Sequence, residues 1–234
     1  MIKNTLFGTV LLLFLSVYTI NAQEDIPVTT NSVELKGLFL GAIGSTNGWG
    51  GEVKYVFNKR FTVRGGYETL NLSQNFDYTQ ESIDFAATLD YQTGSVFLIG
   101  DFSYTRNLYL SGGVMFNSFN PEISGEAVSG MQYGDITIPP SMIGDFSMSI
   151  IPEMKVSPYG ALGVRSFFGK RKSVIWTTEV GCFYMGAPQI EIEASGLIAP
   201  TADPAHGQKE KLEQQINQYK FYPVLKMGLA IKLF

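Results

Sequence analysis

The sequence predicts an all-β chain: an eight-stranded antiparallel transmembrane β-barrel with long outer strand extensions and a short helix in its last outer loop. Three observations lead there. Apolar residues recur at every second position over several segments, the period of a strand with one apolar face. After Ala22 no uninterrupted apolar run approaches the roughly 18 residues of a membrane-spanning helix. Tight and long connections alternate along the chain, as they do where strands cross a bilayer between short turns on one side and long loops on the other.

Eight segments carry the strand signal: 33–43, 50–57, 60–71, 82–104, 107–117, 146–166, 173–195 and 220–234. In the third, Phe61, Val63, Gly65 and Tyr67 alternate with Thr62, Arg64, Gly66 and Glu68. The fifth sets Leu108, Leu110, Gly112, Val114 and Phe116 on one face. The last is the clearest, with Leu225, Met227, Leu229, Ile231 and Leu233 opposite Lys226, Gly228, Ala230 and Lys232. Tight connections are expected at Asn58-Lys59, Thr105-Arg106-Asn107 and Phe168 to Lys172, and long ones at 44–50, 72–80, 119–145 and 196–219. Within the last long connection, residues 207–219 space Leu212, Ile216 and Tyr219 four and three apart, which suits a short amphipathic helix. Ten strands are the alternative if Gln92-Thr93-Gly94, or Pro152 and Pro158, mark true turns rather than irregularities within strands.

Composition excludes several functions. The chain has 234 residues, 45% hydrophobic and 16% charged, which suits a packed chain and not a disordered one. A formal charge of −4 provides no basic field for a nucleic acid. Mean hydropathy is +0.08 despite few long apolar runs. Residues 1–22 read as a signal peptide: Lys3 supplies the positive start, Leu6 to Val17 the apolar centre, and cleavage is expected between Ala22 and Gln23. Residues 23–234 then form the barrel. The single Cys182 lies in a strand-like context and is expected to be a buried structural thiol.

Aromatics flank the expected turns and the opposite strand ends. Tyr55, Phe57, Phe61, Tyr104, Tyr109, Phe167 and Trp176 would form one interfacial girdle, and Trp49, Tyr184 and Tyr222 a second.

The stretches SVFLIGDFSYTRNLYLSGGVMFN (95–117), SPYGALGV (157–164), MGAPQIEIEASG (185–196) and FYPVLKMGLAIKLF (221–234) resemble the small outer-membrane β-barrel proteins of Gram-negative bacteria, in the OmpW-like and OmpA-like group. The resemblance implies an eight-stranded barrel in the cell outer membrane, export by a signal peptide, insertion by the barrel-assembly machinery, and outer-membrane lipid as the surrounding partner. Such barrels end on an aromatic in phase with the lipid-facing residues. Here Leu229, Ile231 and Leu233 keep that phase, whereas Phe234 falls one residue out of step. Either Leu233 completes the terminal assembly signal or a bulge resets the register.

If the apolar face is outside, parity places Glu34, Lys36, Glu52, Lys54, Arg64, Glu68, Asp101, Arg165, Glu179, Lys226 and Lys232 inside. Near balance of sign in so narrow a ring predicts mutual pairing and disfavours an open, water-filled pore. No catalytic, cofactor or metal site is expected. His206 is the only histidine, and no nucleophile elbow or metal-ligand spacing accompanies it. Glu191 and Glu193 read as solvated charges on one strand face. Two functions stay open: a narrow channel or binding site for a small, apolar solute, or a structural or surface-interaction barrel with no transport role.

Overall fold

A computed structural model of the chain describes residues 36–80, 83–133, 136–169, 172–202 and 208–234. Ala22, Gln23, Glu34 and His206 lie outside the described residues. In chain order the strands are β1 (Gly37–Ser45), β2 (Gly48–Val56), β3 (Phe61–Gln80), β4 (Ile83–Ser103), β5 (Leu108–Asn117), β6 (Glu122–Ala127), β7 (Met131–Tyr133), β8 (Ile136–Ile138), β9 (Asp145–Ile151), β10 (Val156–Phe168), β11 (Val174–Tyr184), β12 (Gln189–Ala194) and β13 (Phe221–Lys232). Short helices α1 (Pro140–Ile143) and α2 (Gln208–Ile216) and a 3-10 helix (Gly196–Ala202) lie in the connections.

Antiparallel pairing runs β1-β2-β3-β4-β5-β10-β11-β13 and returns from β13 to β1, a ring of eight strands. The far halves of β3 and β4 leave the ring together. There β4 gains β6, then β9, then β12, so that an open lobe of five strands stands at one end. The tight turns at 57–60 and 104–107 and the short connection from β10 to β11 lie at the other, the turn end.

Several expected boundaries change. Gln92-Thr93-Gly94 lies inside a continuous β4, as the eight-strand reading requires. Residues 72–80 are not a loop: they pair with β4 to the end of β3, and Ser73, Asn75, Asp77 and Thr79 form the solvent side of a hairpin. Residues 44–50 are not a long loop either, because β1 and β2 are joined through Thr46-Asn47 alone. Gly48, at φ +134°, lets that turn fold against β3, where a Cβ would strike the carbonyl of Thr69. The segment 119–145 holds β6, β7, β8 and α1, not bare loop. The expected sixth strand, 146–166, breaks at Pro152 into β9 and β10, and the seventh, 173–195, breaks at Gly186-Ala187-Pro188 into β11 and β12. The helix of the last connection is α2, one turn shorter than expected.

On the ring the apolar face points outward. Leu98, Leu110, Leu162, Leu229 and Ile231 are exposed there, while Glu52, Arg64, Glu68 and Glu179 are buried inside. Cys182 falls on the outward face and is half-buried, not a core thiol, because its neighbour Phe183 takes the inward position. On β3 and β4 the polarity of the two faces then exchanges. Beyond the paired level of Thr69 and Gly94, outward positions become Asn71, Ser73, Asn75 and Asp77 on β3 and Gln92, Asp90 and Asp84 on β4. Inward positions become Leu70, Leu72, Gln74, Phe76 and Tyr78, opposite Thr93, Tyr91, Leu89, Ala87 and Phe85, so the inner face turns mostly apolar. The inner face of the lobe continues as Ile123, Phe146, Met148, Ile190 and Ile192. Its far part is covered: Ile83, Phe85 and Ile143 are buried there, with Met131, Ile138 and Ile198 packed on them. Burial pushes the Tyr78 phenol above its ordinary range.

Two adjacent glycines separate the inside of the ring from the outside. A Cβ on Gly113 would run into the Leu98 carbonyl and lie 2.7 Å from Ile99 Cα, whereas one on Gly112 meets nothing within 4 Å. Gly113→Val is therefore expected to abolish the folded state, and Gly112→Val to stay within about 0.5 kcal/mol of the parent in denaturant unfolding. Equal outcomes for the two variants would contradict the assigned faces.

Candidate functional site

The inside of the ring is built by parity. Glu52 and Lys54 stand two apart on β2, Arg64 and Glu68 four apart on β3, and Asp101, Glu179 and Lys226 come from β4, β11 and β13. The structure brings eight of the eleven expected charges into the interior: Glu52, Lys54, Arg64, Glu68, Asp101, Arg165, Glu179 and Lys226. Lys232 is half-buried at the turn end. Lys36 is exposed, a correction to the parity reading, because it precedes β1 and no strand pairing orients it.

Arg64 is the centre. Its Nε donates to Asp101 Oδ1 at 3.1 Å, its Nη2 to Glu179 Oε2 at 2.5 Å and to Ser111 Oγ at 3.3 Å, and Nη1 stands 3.6 Å from Glu52 Oε2. Glu179 also accepts from Tyr109 at 3.1 Å and from Tyr159 at 2.9 Å. Glu52 faces Lys54 at 2.8 Å, and Lys54 donates to Thr177. Toward the lobe a second group forms, in which Glu68 accepts from Ser45, Asn47 and Ser95 and lies 3.2 Å from Lys226 Nζ. The Lys226 ammonium also sits over the Phe97 ring at 4.1 Å, so part of its charge is balanced by the ring face.

Both mouths of the ring are capped. At the lobe end Phe183 stacks on Tyr222 at 4.9 Å, Phe119 meets Tyr222 edge-on, and the Tyr91 and Tyr222 hydroxyls lie 3.1 Å apart. At the turn end Arg165 donates to the carbonyls of Arg106 and Lys59. A cavity of about 10 Å³ just inside Arg165, lined by Thr62, Asp101 and Thr177, has room for about one water. A larger, open hollow of about 390 Å³ lies on the lobe between α2 and the β11–β12 connection, among Glu153, Gln189, Glu213 and Asn217.

The aromatic expectations divide. Trp49, Phe57, Phe61, Tyr104 and Trp176 are exposed on the outward face or at the turns, and Tyr55 and Tyr184 are partly exposed beside Phe57 and Phe221. Three belong inside instead. Tyr109 is 2% exposed and bonds Glu179, Phe167 packs on Phe39, Val56 and Ile175, and Tyr222 covers the lobe-end mouth. Each is one residue out of phase with the outward set, so proximity to a strand end misled where parity would not. At the last strand the pairing register runs without a bulge from Lys226 to Lys232, and Leu229, Ile231, Leu233 and Phe234 are all exposed. Asn47, fully buried and bonded to Glu68, Ser95 and Thr93, was not foreseen because its turn reads as loop.

Two crystal structures share this fold. CarO of Acinetobacter baumannii is 17% identical, with a TM-score of 0.53 over 83% of this chain and 96% of that one. CarO2 of the same organism is 17% identical, with a TM-score of 0.54 over 83% of this chain and 97% of that one. No family model and no curated protein matches the chain.

Removing one partner of the central group leaves buried carboxylates without a counter-charge. Arg64→Met is expected to cost about 3–5 kcal/mol in denaturant unfolding, and the added change Glu179→Gln to recover part of that loss. Strictly additive losses would show that the pair is not coupled.

Proposed function

We propose that this chain is an integral outer-membrane barrel of the OmpW-like or OmpA-like kind, exported by its signal peptide, with a sealed ring and a lobe that receives a small apolar solute on its inner face. No catalysis is part of this reading. The observation that carries it is the exchange of polarity at the level of Thr69 and Gly94. Below it the outward face is apolar and exposed, as a lipid-facing surface must be. Above it the outward face carries Asn, Ser and Asp, which suits water, and the inward face turns apolar. The outward apolar stretch of β5, Leu108 to Phe116, spans about 27 Å along the strand and less along the membrane normal once tilted, close to the apolar band of outer-membrane barrels. Exposed Phe57, Phe61, Tyr104 and Trp176 at the turn end, and Trp49, Tyr67 and Phe221 toward the other, suit the two interfaces.

The sealed interior argues against free passage along the axis. The apolar inner face near the mouth is open by contrast, with Leu72 57% and Phe76 41% exposed beside Leu70 and Tyr91. Detergent-extracted protein is expected to migrate differently on a gel before and after boiling. Reconstituted in planar bilayers it should show no steady conductance, and it should bind the fluorescent apolar probe N-phenylnaphthylamine, with binding lost in Leu72→Glu/Phe76→Glu. A large open-pore conductance overturns the sealed ring, and undiminished probe binding in the double variant overturns the solute site.

One observation favours the surface-interaction reading. From Leu70 to Gln80 β3 pairs with β4 on one side and, among the described residues, with no strand on the other. Such an edge is a template for an added strand. Loss of envelope or cell contacts in Asn75→Pro, with probe binding intact, would support that role.

A further inference from the structure

Charges outside the ring interior are sorted by end. At the turn end stand Lys36, Lys59, Arg60, Arg106, Lys172 and Lys232, with no side-chain carboxylate among the described residues outside the interior. Asp101, the nearest acid by register, points inward and is taken by Arg64 and Ser111. The lobe carries the acids, among them Asp77, Asp84, Asp90, Glu122, Glu126 and Asp145. The acidic formal charge of the whole chain therefore hides a cationic surface at one end.

Three of these cations, Lys59, Arg106 and Lys172, stand on turns around Arg165 at the mouth. Arg165 reaches down from β10 and holds two turns at once, through the carbonyls of Lys59 and Arg106. The third turn brings Lys172, whose backbone N–H donates to Gly169 O at 3.0 Å and whose φ of +52° is held by that turn. Burial pushes the Lys172 ammonium below the ordinary lysine range, and the nearby charges of Arg106 and Lys59 add to the shift. Three turns that are far apart in sequence thus direct like charges at one another, an arrangement that costs energy unless an anion enters. Just inside, the Thr62 and Ser103 hydroxyls are buried without a hydrogen-bond partner, and Thr62 borders the water-sized cavity beneath Arg165.

We propose that the turn-end mouth of the ring is an oxyanion site of the phosphate class, held by Lys59, Arg106 and Lys172 over Arg165. A tetrahedral phosphate matches three converging cations, since guanidinium and ammonium groups each give it charge-assisted hydrogen bonds. The same chemistry is offered by free phosphate and by the phosphodiester of an anionic lipid. The exposed Phe57, Phe61, Tyr104 and Trp176 beside these turns set the cations at headgroup depth if the ring spans a bilayer. The free-anion arm needs no bilayer, so it stands apart from the membrane reading.

The test uses the full-length mature chain in uncharged detergent. In the first arm inorganic phosphate is titrated and its 31P line width is read. In the second, the protein is reconstituted in nanodiscs of mixed phosphatidylglycerol and phosphatidylcholine, and the lipids it retains on extraction are counted by native mass spectrometry. The comparison variants are Lys59→Gln/Arg106→Gln/Lys172→Gln, the single Lys172→Gln for the case in which the triple variant does not fold, and a control at the lobe, Lys155→Gln/Lys209→Gln/Lys211→Gln. Phosphate broadening or phosphatidylglycerol retention by the parent and the control, weakened about tenfold in the triple variant and measurably in Lys172→Gln, supports the site. Signal in the phosphate arm alone assigns a free anion, and signal in the lipid arm alone assigns a headgroup. Absence of both, or a signal that the turn variants leave unchanged, overturns the proposal.

Discussion

The contact between Arg64 and Glu179 holds the rest of the molecule in place. In the order of pairing, β3 and β11 are four strands apart in a ring of eight, so this bond crosses the full width of the interior. Lys54 on β2 and Thr177 on β11, and Lys226 on β13 and Glu68 on β3, cross it as well. Backbone pairing alone fixes neighbours, whereas these links fix opposite walls. An eight-stranded ring has just enough room for its own side chains, so a charge placed inside must find its partner across the interior or remain unpaired. That requirement explains why small residues such as Gly66 and Gly163 stand inside against the rings of Phe97 and Tyr109, and why Tyr109 and Tyr159 bring their hydroxyls to Glu179 and not to water. A buried ion pair adds little net stability over an apolar filling, but loss of one member is costly, and the group therefore favours one register over its alternatives.

On the proposed membrane reading, the polarity exchange along β3 and β4 follows from the same parity rule under two solvents. A strand has two faces whatever surrounds it. Where lipid is outside, the apolar set must face out and the polar set must pair inside. Where water is outside, the reverse holds, and the two conditions meet at one level of one hairpin. The backbone does not change there: the pairing runs unbroken from Phe61 and Phe102 to Gln80 and Ile83. Gly94 allows the close passage at that level, since a Cβ would lie 2.5 Å from the Glu68 carbonyl.

This rule also separates what was legible in the sequence from what was not. Wherever one phase of alternation persists, as from Leu225 to Leu233, the strand and both of its faces follow from the residues. At Leu70 the phase changes, and a change of phase in a segment rich in Asn, Ser and Gln reads as a loop, though the strand continues. The same polar types at Thr46-Asn47 conceal a tight turn whose asparagine is an interior residue. Tyr109, Phe167 and Tyr222 were misplaced by position along the strand, although their parity put them inside. The ring pairing itself is not in any local pattern, because the contacts that complete it join β1 to β13 and β5 to β10 across long stretches of chain.

A path down the axis would require Arg64 to move away from three carboxylates held by three different strands, with Arg165 at one mouth and the Tyr91–Tyr222 pair at the other moving as well. Each movement exposes a buried charge or opens an aromatic contact with no replacement partner inside, and the costs fall on the same event. A lobe built on the rim of the ring faces none of these constraints. Its inner face is apolar, its outer face is wetted, and its cover over Ile83 and Phe85 rests on short elements packed at one end only. Changes of shape at the lobe can therefore occur while the ring stays rigid, so the proposed solute site falls on the part of the fold that is freer to adapt.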